Sequence, residues 1–243
     1  MSQRNIVVEF IGVPGAGKST IAAALAAALS SKYDVAQPAF IFPQGPISLM
    51  QKLRLDVTYA PNFLMYRIRR LLYDFRRSGP GIWTASNAWE QSRYPIFLAE
   101  KLARAPKEIY VLDEWLMHRV IGESIARYHS DLSFSTKFAI PTFRTHRLAY
   151  VCVRVDTGVA VQRVLGEDQP FRKFAKSKDP ALVDSVLSSW NRQIEQLRSE
   201  IERRKLPCID VDGSTSIEGN VATLVEWIVK INASGNEFQH RGK

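Results

Sequence analysis

The chain is predicted to be an α/β protein, a doubly wound five-stranded parallel sheet with a helical insertion and a lid. Three observations predict it. A glycine-rich turn, Gly12-Val13-Pro14-Gly15-Ala16-Gly17-Lys18-Ser19-Thr20, stands between a strand pattern and a helix pattern. Short, wholly apolar runs then recur down the chain, as buried parallel strands require. Helical periodicity fills much of the space between them and supplies the crossover connections that parallel strands need.

Each element follows in order. Residues 6–11, Ile-Val-Val-Glu-Phe-Ile, are a short buried strand, and the Ala-rich run 21–29 is a helix. A second strand is expected over 35–41. Residues 43–106, rich in Arg and aromatics and broken by Pro46, Pro61, Gly79-Pro80-Gly81 and Pro95, read as a helical insertion over the strand ends, on the substrate side. Glu108-Ile109-Tyr110-Val111-Leu112 is the third strand, ending in Asp113-Glu114, and residues 147–155 are the fourth. A helix carrying Arg163 follows. Residues 163–179 turn polar, basic and hinge-like, where a closing lid would sit. A long helix over 180–204 precedes the last strand, 206–212, then Gly213-Ser214 and a helix from about 216 to 231. The polar tail, 235–243, is expected to be flexible. Together these make one domain over residues 1–243.

The turn carries the chemistry. It matches GxxxxGK[ST] in full, a pattern that arises by chance in roughly one chain of this length per hundred. Its successive N–H groups, backed by the positive end of the helix dipole, form a concave anion site suited to a polyphosphate. Gly12, Gly15 and Gly17 let the backbone approach phosphate oxygens, Lys18 would reach the β- and γ-phosphates, and the Ser19 hydroxyl would ligate Mg2+. ATP or GTP is the expected ligand. The acidic strand end at Asp113-Glu114 suits a carboxylate facing that metal or accepting an acceptor's proton, with either residue able to take either job; the plainer reading is a helix cap.

Composition narrows the class. The 243 residues are 46% hydrophobic and 23% charged, enough for a sizeable core. Cys152 and Cys208 each lie in a strand-like apolar run, which points to buried thiols in a reducing, cytoplasmic setting. No signal peptide or membrane span is expected. The net charge of +9 suits a cleft that neutralises phosphates, although a basic stripe for nucleic acid gives the same excess. Arg67, Arg69, Arg70, Arg76 and Arg77 read first as a solvated helix face. His118, His129, His146 and His240 show no metal-ligand spacing. A regulatory GTPase should carry Asn-Lys-x-Asp and a transporter ATPase Leu-Ser-Gly-Gly, and the chain has neither.

The chain resembles the P-loop small-molecule kinases, the thymidylate kinase-like and nucleoside or nucleotide kinase group of P-loop NTPases. The matching pieces are residues 12–20, the strand end Leu112-Asp113-Glu114, the stretch Val155-Asp156-Thr157-Gly158-Val159-Ala160-Val161-Gln162-Arg163, and Val211-Asp212-Gly213-Ser214. The resemblance implies phosphoryl transfer from ATP–Mg2+ to a small-molecule acceptor. Gly12 through Thr20 would hold the phosphates, and Asp212, Gly213 and Ser214 would lie beside the adenine. Ser19 and Asp113 would serve the metal. Lys18, Asp113, Glu114, Arg163 and Arg172 would carry catalysis, the two arginines from the lid. Arg93, Arg119, Trp89 and Tyr94 would contact the acceptor. Nucleic acid and membrane are not expected as partners, and a homodimer is left open.

Departures from the family pattern limit the acceptor. Asp113-Glu114-Trp115 replaces an Asp-Arg pair, Pro14 stands where an acidic residue is frequent, and Phe40-Ile41-Phe42-Pro43-Gln44 has no Glu to close the second strand. A sugar, an antibiotic or another hydroxyl compound then competes with a nucleoside. The rival from another class is a nucleotide-binding regulatory module reading polynucleotide through its basic, aromatic insert.

Overall fold

The computed structural model describes residues 5–36, 107–113, 147–166 and 179–240, with side chains to residue 233, and isolated helical positions at 50, 68, 71, 72, 75 and 76. The chain divides into two compact units. One joins Met1–Pro38, Lys107–Leu132 and Thr145–Lys243; the other joins Ala39–Pro106 and Ser133–Arg144. The second therefore takes in the expected insertion together with residues from the stretch between the third and fourth strands. Every strand described below lies in the first.

The first unit is built on a five-stranded sheet of β1 (Ile6–Ile11), β2 (Val35–Ala36), β3 (Ile109–Leu112), β4 (Arg147–Arg154) and β5 (Cys208–Asp212). The strand order is β2-β3-β1-β4-β5. All four pairings are parallel, with Val8 opposite Val111 and Ala149 at the centre. All six residues of β1 are buried, and so are all four of β3. That explains why these strands read as continuous apolar runs instead of alternating ones: a central parallel strand is covered on both faces. The exception is Glu9, fully buried in β1 between Leu112 and Tyr150 of its neighbours. Of the second strand expected over 35–41, Val35 and Ala36 are strand and the rest lies outside the described residues.

Among the described residues, four helices flank the sheet: α1 (Lys18–Leu29), α2 (Thr157–Gly166), α3 (Pro180–Arg203) and α4 (Ile217–His240). From β1 the chain crosses through α1 toward β2 at one edge. From β4 it crosses through α2 and α3 toward β5 at the other edge. Right-handed crossovers running in opposite directions put their helices on opposite faces. The packing agrees, since α1 packs on α4 and α2 on α3. This is the doubly wound α/β fold.

Local chemistry sets the helix limits. The Asp179 side chain accepts a hydrogen bond from the Ala181 N–H at 3.0 Å, and Pro180 occupies the first turn, so α3 starts where its sequence says. Its buried residues Val183, Leu187, Trp190, Ile194, Leu197 and Ile201 recur at four- and three-residue steps, one apolar stripe against the sheet. Ser216 accepts from the Gly219 N–H and starts α4. Two limits differ from expectation. α1 begins at Lys18, not at residue 21, because Gly17 is its N-cap and the loop itself becomes the first turn. α4 continues to His240, past Ile231 and Gly235, because one glycine costs a helix only about 1 kcal/mol.

The topology has one reversal that matters. β1 sends the chain toward β2, whereas β3, its neighbour, sends it back past β1 to β4. The crevice outside the carboxyl ends of β1 and β3 is therefore the switch point, where open α/β sheets place ligands.

Candidate functional site

The turn after β1 sits at that switch point. Gly15 and Gly17 have φ of 77° and 87°, a left-handed backbone that costs other residues but not glycine. Gly17 caps α1 without any side-chain hydrogen bond, and the first intrahelical bond is the Ile21 N–H to the Gly17 carbonyl at 3.1 Å. The first-turn N–H groups have no acceptor within the helix, and the helix carries its positive end there. Lys18 is 5% exposed, and its ammonium donates to the Val13 carbonyl at 3.0 Å, folded back across the loop. Ser19 and Thr20 are exposed beside it.

The turn after β5 forms the facing wall. Asp212 Oδ1 accepts from the Ser214 N–H at 2.8 Å and from its hydroxyl at 2.5 Å, and the Asn220 amide donates to the Asp212 carbonyl at 2.7 Å. The side-chain and backbone bonds from Ser214 hold the Asp212 carboxyl below its usual range. The Gly213 N–H donates to the Arg154 carbonyl at 2.7 Å and so extends the β4–β5 ladder by one bond. A side chain at Gly213 would overlap the Ala16 carbonyl oxygen, so the two turns meet backbone to backbone.

Arg163, in the last turn of α2, joins them. Its Nη1 donates to the Gly15 carbonyl at 3.1 Å, and both terminal nitrogens donate to the Gly213 carbonyl at 3.2 Å. Its guanidinium faces the two turns as a strut.

Between them lies a cleft of about 870 Å³, lined by Pro14, Gly15, Gly17 to Ile21, Arg163, Gly166, Gly213 to Thr215 and Ile217. That volume suits a cofactor-sized ligand. Among its described lining residues are two cations, Lys18 and Arg163, and no carboxylate. Such a lining favours an anion.

Of the residues expected at the site, the structure brings Gly15, Gly17, Lys18, Ser19, Thr20, Pro14, Arg163, Gly213 and Ser214 to this cleft. Gly12, Val13 and Ala16 are buried beneath the loop, and Asp212 supports the facing turn. Asp113 follows directly on β3, one residue past the Leu112–Glu9 pair, and is not among the cleft's lining residues. Glu114, Arg172, Arg93, Arg119, Trp89 and Tyr94 lie outside the described residues. Thr215 and Ile217 line the cleft beyond the expected residues, and so does Gly166, which falls in the segment expected as a lid but is not one of its expected site residues. The signal for the first two is position: Thr215 follows the Asp-Gly-Ser turn directly and Ile217 comes two residues later.

The Ser19 hydroxyl at the cleft is an oxygen donor of the kind that suits Mg2+, and the Asp113 carboxylate at the end of β3 is of the same kind. Among the described residues no helix is long and apolar enough to cross a membrane.

No family model matches the chain, and no curated protein matches it. Solved structures of similar shape include deoxyadenosine kinase from M. mycoides with bound dCTP, at 14% identity and a TM-score of 0.45, covering 92% of this chain and 99% of that one. The same enzyme with bound dATP is 15% identical with a TM-score of 0.42, over 91% and 98% of the two chains. Shikimate kinase from Bacteroides thetaiotaomicron is 13% identical with a TM-score of 0.46, over 92% and 98%.

Proposed function

We propose that the protein transfers the γ-phosphoryl group of ATP–Mg2+ to a hydroxyl or phosphate of a small-molecule acceptor. The observation that carries this reading is the cleft lining: a helix N-terminus capped by glycine, two cations and no carboxylate among the described lining residues. The acceptor is a nucleoside or nucleotide, as in the group that the sequence resembles, or, given the departures from that group's pattern at residues 14, 40–44 and 113–115, a sugar, an antibiotic or another hydroxyl compound.

The loop amides of Gly15 to Thr20 bind the polyphosphate and fix its orientation. Lys18 exchanges its Val13 carbonyl partner for the β- and γ-phosphate oxygens and offsets charge developing on the transferred group. The Ser19 hydroxyl and Asp113 would hold Mg2+, which when bound would neutralise phosphate charge. Asp113 or Glu114 orients the acceptor hydroxyl or accepts its proton. Arg163 keeps the loop and the facing turn at a fixed separation, so the base would lie against Gly213, Ser214 and Asp212 while the phosphates lie on the loop. Arg172 would complete the charge stabilisation from the lid segment, and Arg93, Arg119, Trp89 and Tyr94 would grip the acceptor.

The test is Mg2+-dependent release of ADP from ATP with and without a panel of nucleosides, nucleoside monophosphates, sugars and aminoglycosides, run beside Lys18→Ala. Stimulation by one compound class, absent in the variant, is expected. ATP binding with no stimulation by any compound would replace this reading with a regulatory nucleotide-binding module.

A further inference from the structure

The two cysteines, 56 residues apart in the chain, meet in the fold, with Cys152 Sγ 3.6 Å from Cys208 Sγ. Both are free thiols, Cys152 buried and Cys208 partly exposed. The register explains the meeting. Cys208 on β5 pairs with Tyr150 on β4, and Cys152 pairs with Asp210, so the cysteines are diagonal neighbours on one face of the sheet. That face is the one α3 covers, since Arg198 of α3 reaches Asp210 at 2.7 Å.

We propose that Cys152 and Cys208 form a reversible redox site, which a low-molecular-weight disulfide closes into an intramolecular disulfide that displaces the turn at Gly213. Cys208 is the attacking group because it has access. Its thiolate attacks one sulfur of the small disulfide, forms a mixed disulfide and expels one small thiolate. Cys152 loses its proton to solvent base and attacks Cys208 Sγ, expelling the second small thiolate. Two protein thiols are oxidised, one small disulfide is reduced to two thiols, and the electrons balance. The facing Cys152 thiol holds Cys208 below the usual thiol range, while the same pairing and burial push Cys152 up, which fits an attacking and a resolving partner.

The structural consequence follows from the diagonal. A disulfide needs its sulfurs about 2 Å apart, so the present gap must close by about 1.5 Å. Cys208 lies two positions short of Cys152 along the parallel strands, so closing the gap pulls β5 forward, toward its own carboxyl end. That end is Asp212 and Gly213, and Gly213 already meets the Ala16 carbonyl with no room for one more carbon. The displaced turn loses the Gly213 N–H bond to Arg154. A link to nucleotide affinity rests on the proposed function; the thiol chemistry and the movement of the turn do not.

The experiment incubates the full-length protein with glutathione disulfide, then with dithiothreitol, and follows intact mass, peptide maps and amide hydrogen exchange. The expected product has lost two hydrogen atoms, yields one peptide pair joining Cys152 to Cys208, and reverts on reduction. The amide of Gly213 should exchange about tenfold faster in the oxidised form. Cys152→Ser should stop at a glutathione adduct on Cys208, and Cys208→Ser should give neither adduct nor crosslink. A wild-type protein that retains glutathione on Cys208, or in which neither thiol reacts while folded, overturns the site. A crosslink that leaves Gly213 exchange unchanged overturns the displacement. If the reduced protein fails to bind ATP, the functional reading falls and these readouts still decide the thiol site.

Discussion

The cleft and the α3 flank are held together by opposite means. Around the cleft every one of these contacts is made to backbone: Gly213 on Ala16, a helix capped by glycine, and an arginine side chain bonded to two carbonyls. On the flank they are side chain to side chain. Arg154 pairs with Glu195 and Asp210, Arg198 with Asp210 and Glu202, and Glu200 with Arg203 and Arg204. The first arrangement tolerates almost no added atom, while in the second Arg154, Arg198, Asp210 and Glu200 each divide their charge between two partners near solvent. A single substitution should therefore matter far more at the cleft than on the flank.

The largest effect is expected at Lys18. Lys18→Ala should reduce phosphoryl transfer by at least about 100-fold while the far-ultraviolet circular dichroism stays unchanged. Gly213→Ala comes next. Its Cβ meets a carbonyl oxygen that cannot swing away, so the fold should lose about 1–3 kcal/mol in urea titration, with ATP affinity falling as the turn shifts. An unchanged midpoint would break the comparison at its strongest point. Arg163→Ala removes charge-assisted bonds to two carbonyls and should weaken ATP binding about tenfold, with Arg163→Lys recovering only part.

The flank should respond less. Arg154→Ala removes two exposed ion pairs and should cost no more than about 1 kcal/mol by the same titration. The smallest effect carries a pH signature. Hydrogen bonds from Arg203 and then Arg204 lower the Glu200 carboxyl from its ordinary 4.5 to about 2. A depressed carboxylate contributes stability above its unfolded value and loses it as pH falls toward the folded one. Glu200→Gln should therefore cost a small amount of stability at neutrality, no more than about 1 kcal/mol, and its profile should converge on the wild-type one as pH falls from about 4.5 to 2.

The same contrast governs what could be read from sequence. The loop was legible because glycine positions report backbone geometry directly: Gly15 and Gly17 stand where φ is positive. The central strands were legible because burial on both faces leaves no polar residue to interrupt Ile6–Ile11 or Ile109–Leu112 apart from Glu9. The start of α1 is less legible: Lys18, Ser19 and Thr20 look polar and loop-like in sequence, and the Gly17 cap that makes them the first turn shows only in the fold. Arg163 was readable as a cation near the phosphates, but its bonds to carbonyls 148 and 50 positions away depend on how α2 returns across the sheet. The thiol pair was equally hidden. Two cysteines in separate strands reveal nothing of a diagonal register between β4 and β5.

The central claim is that the loop between β1 and α1 binds a nucleoside triphosphate through Lys18. Calorimetric titration of ATP with Mg2+ into the wild-type chain and into folded Lys18→Ala tests it most directly. Saturable binding at one site per chain, at least about tenfold weaker in the variant, is the predicted result. No heat of binding in the wild type, or equal affinity in the two proteins, would contradict the account.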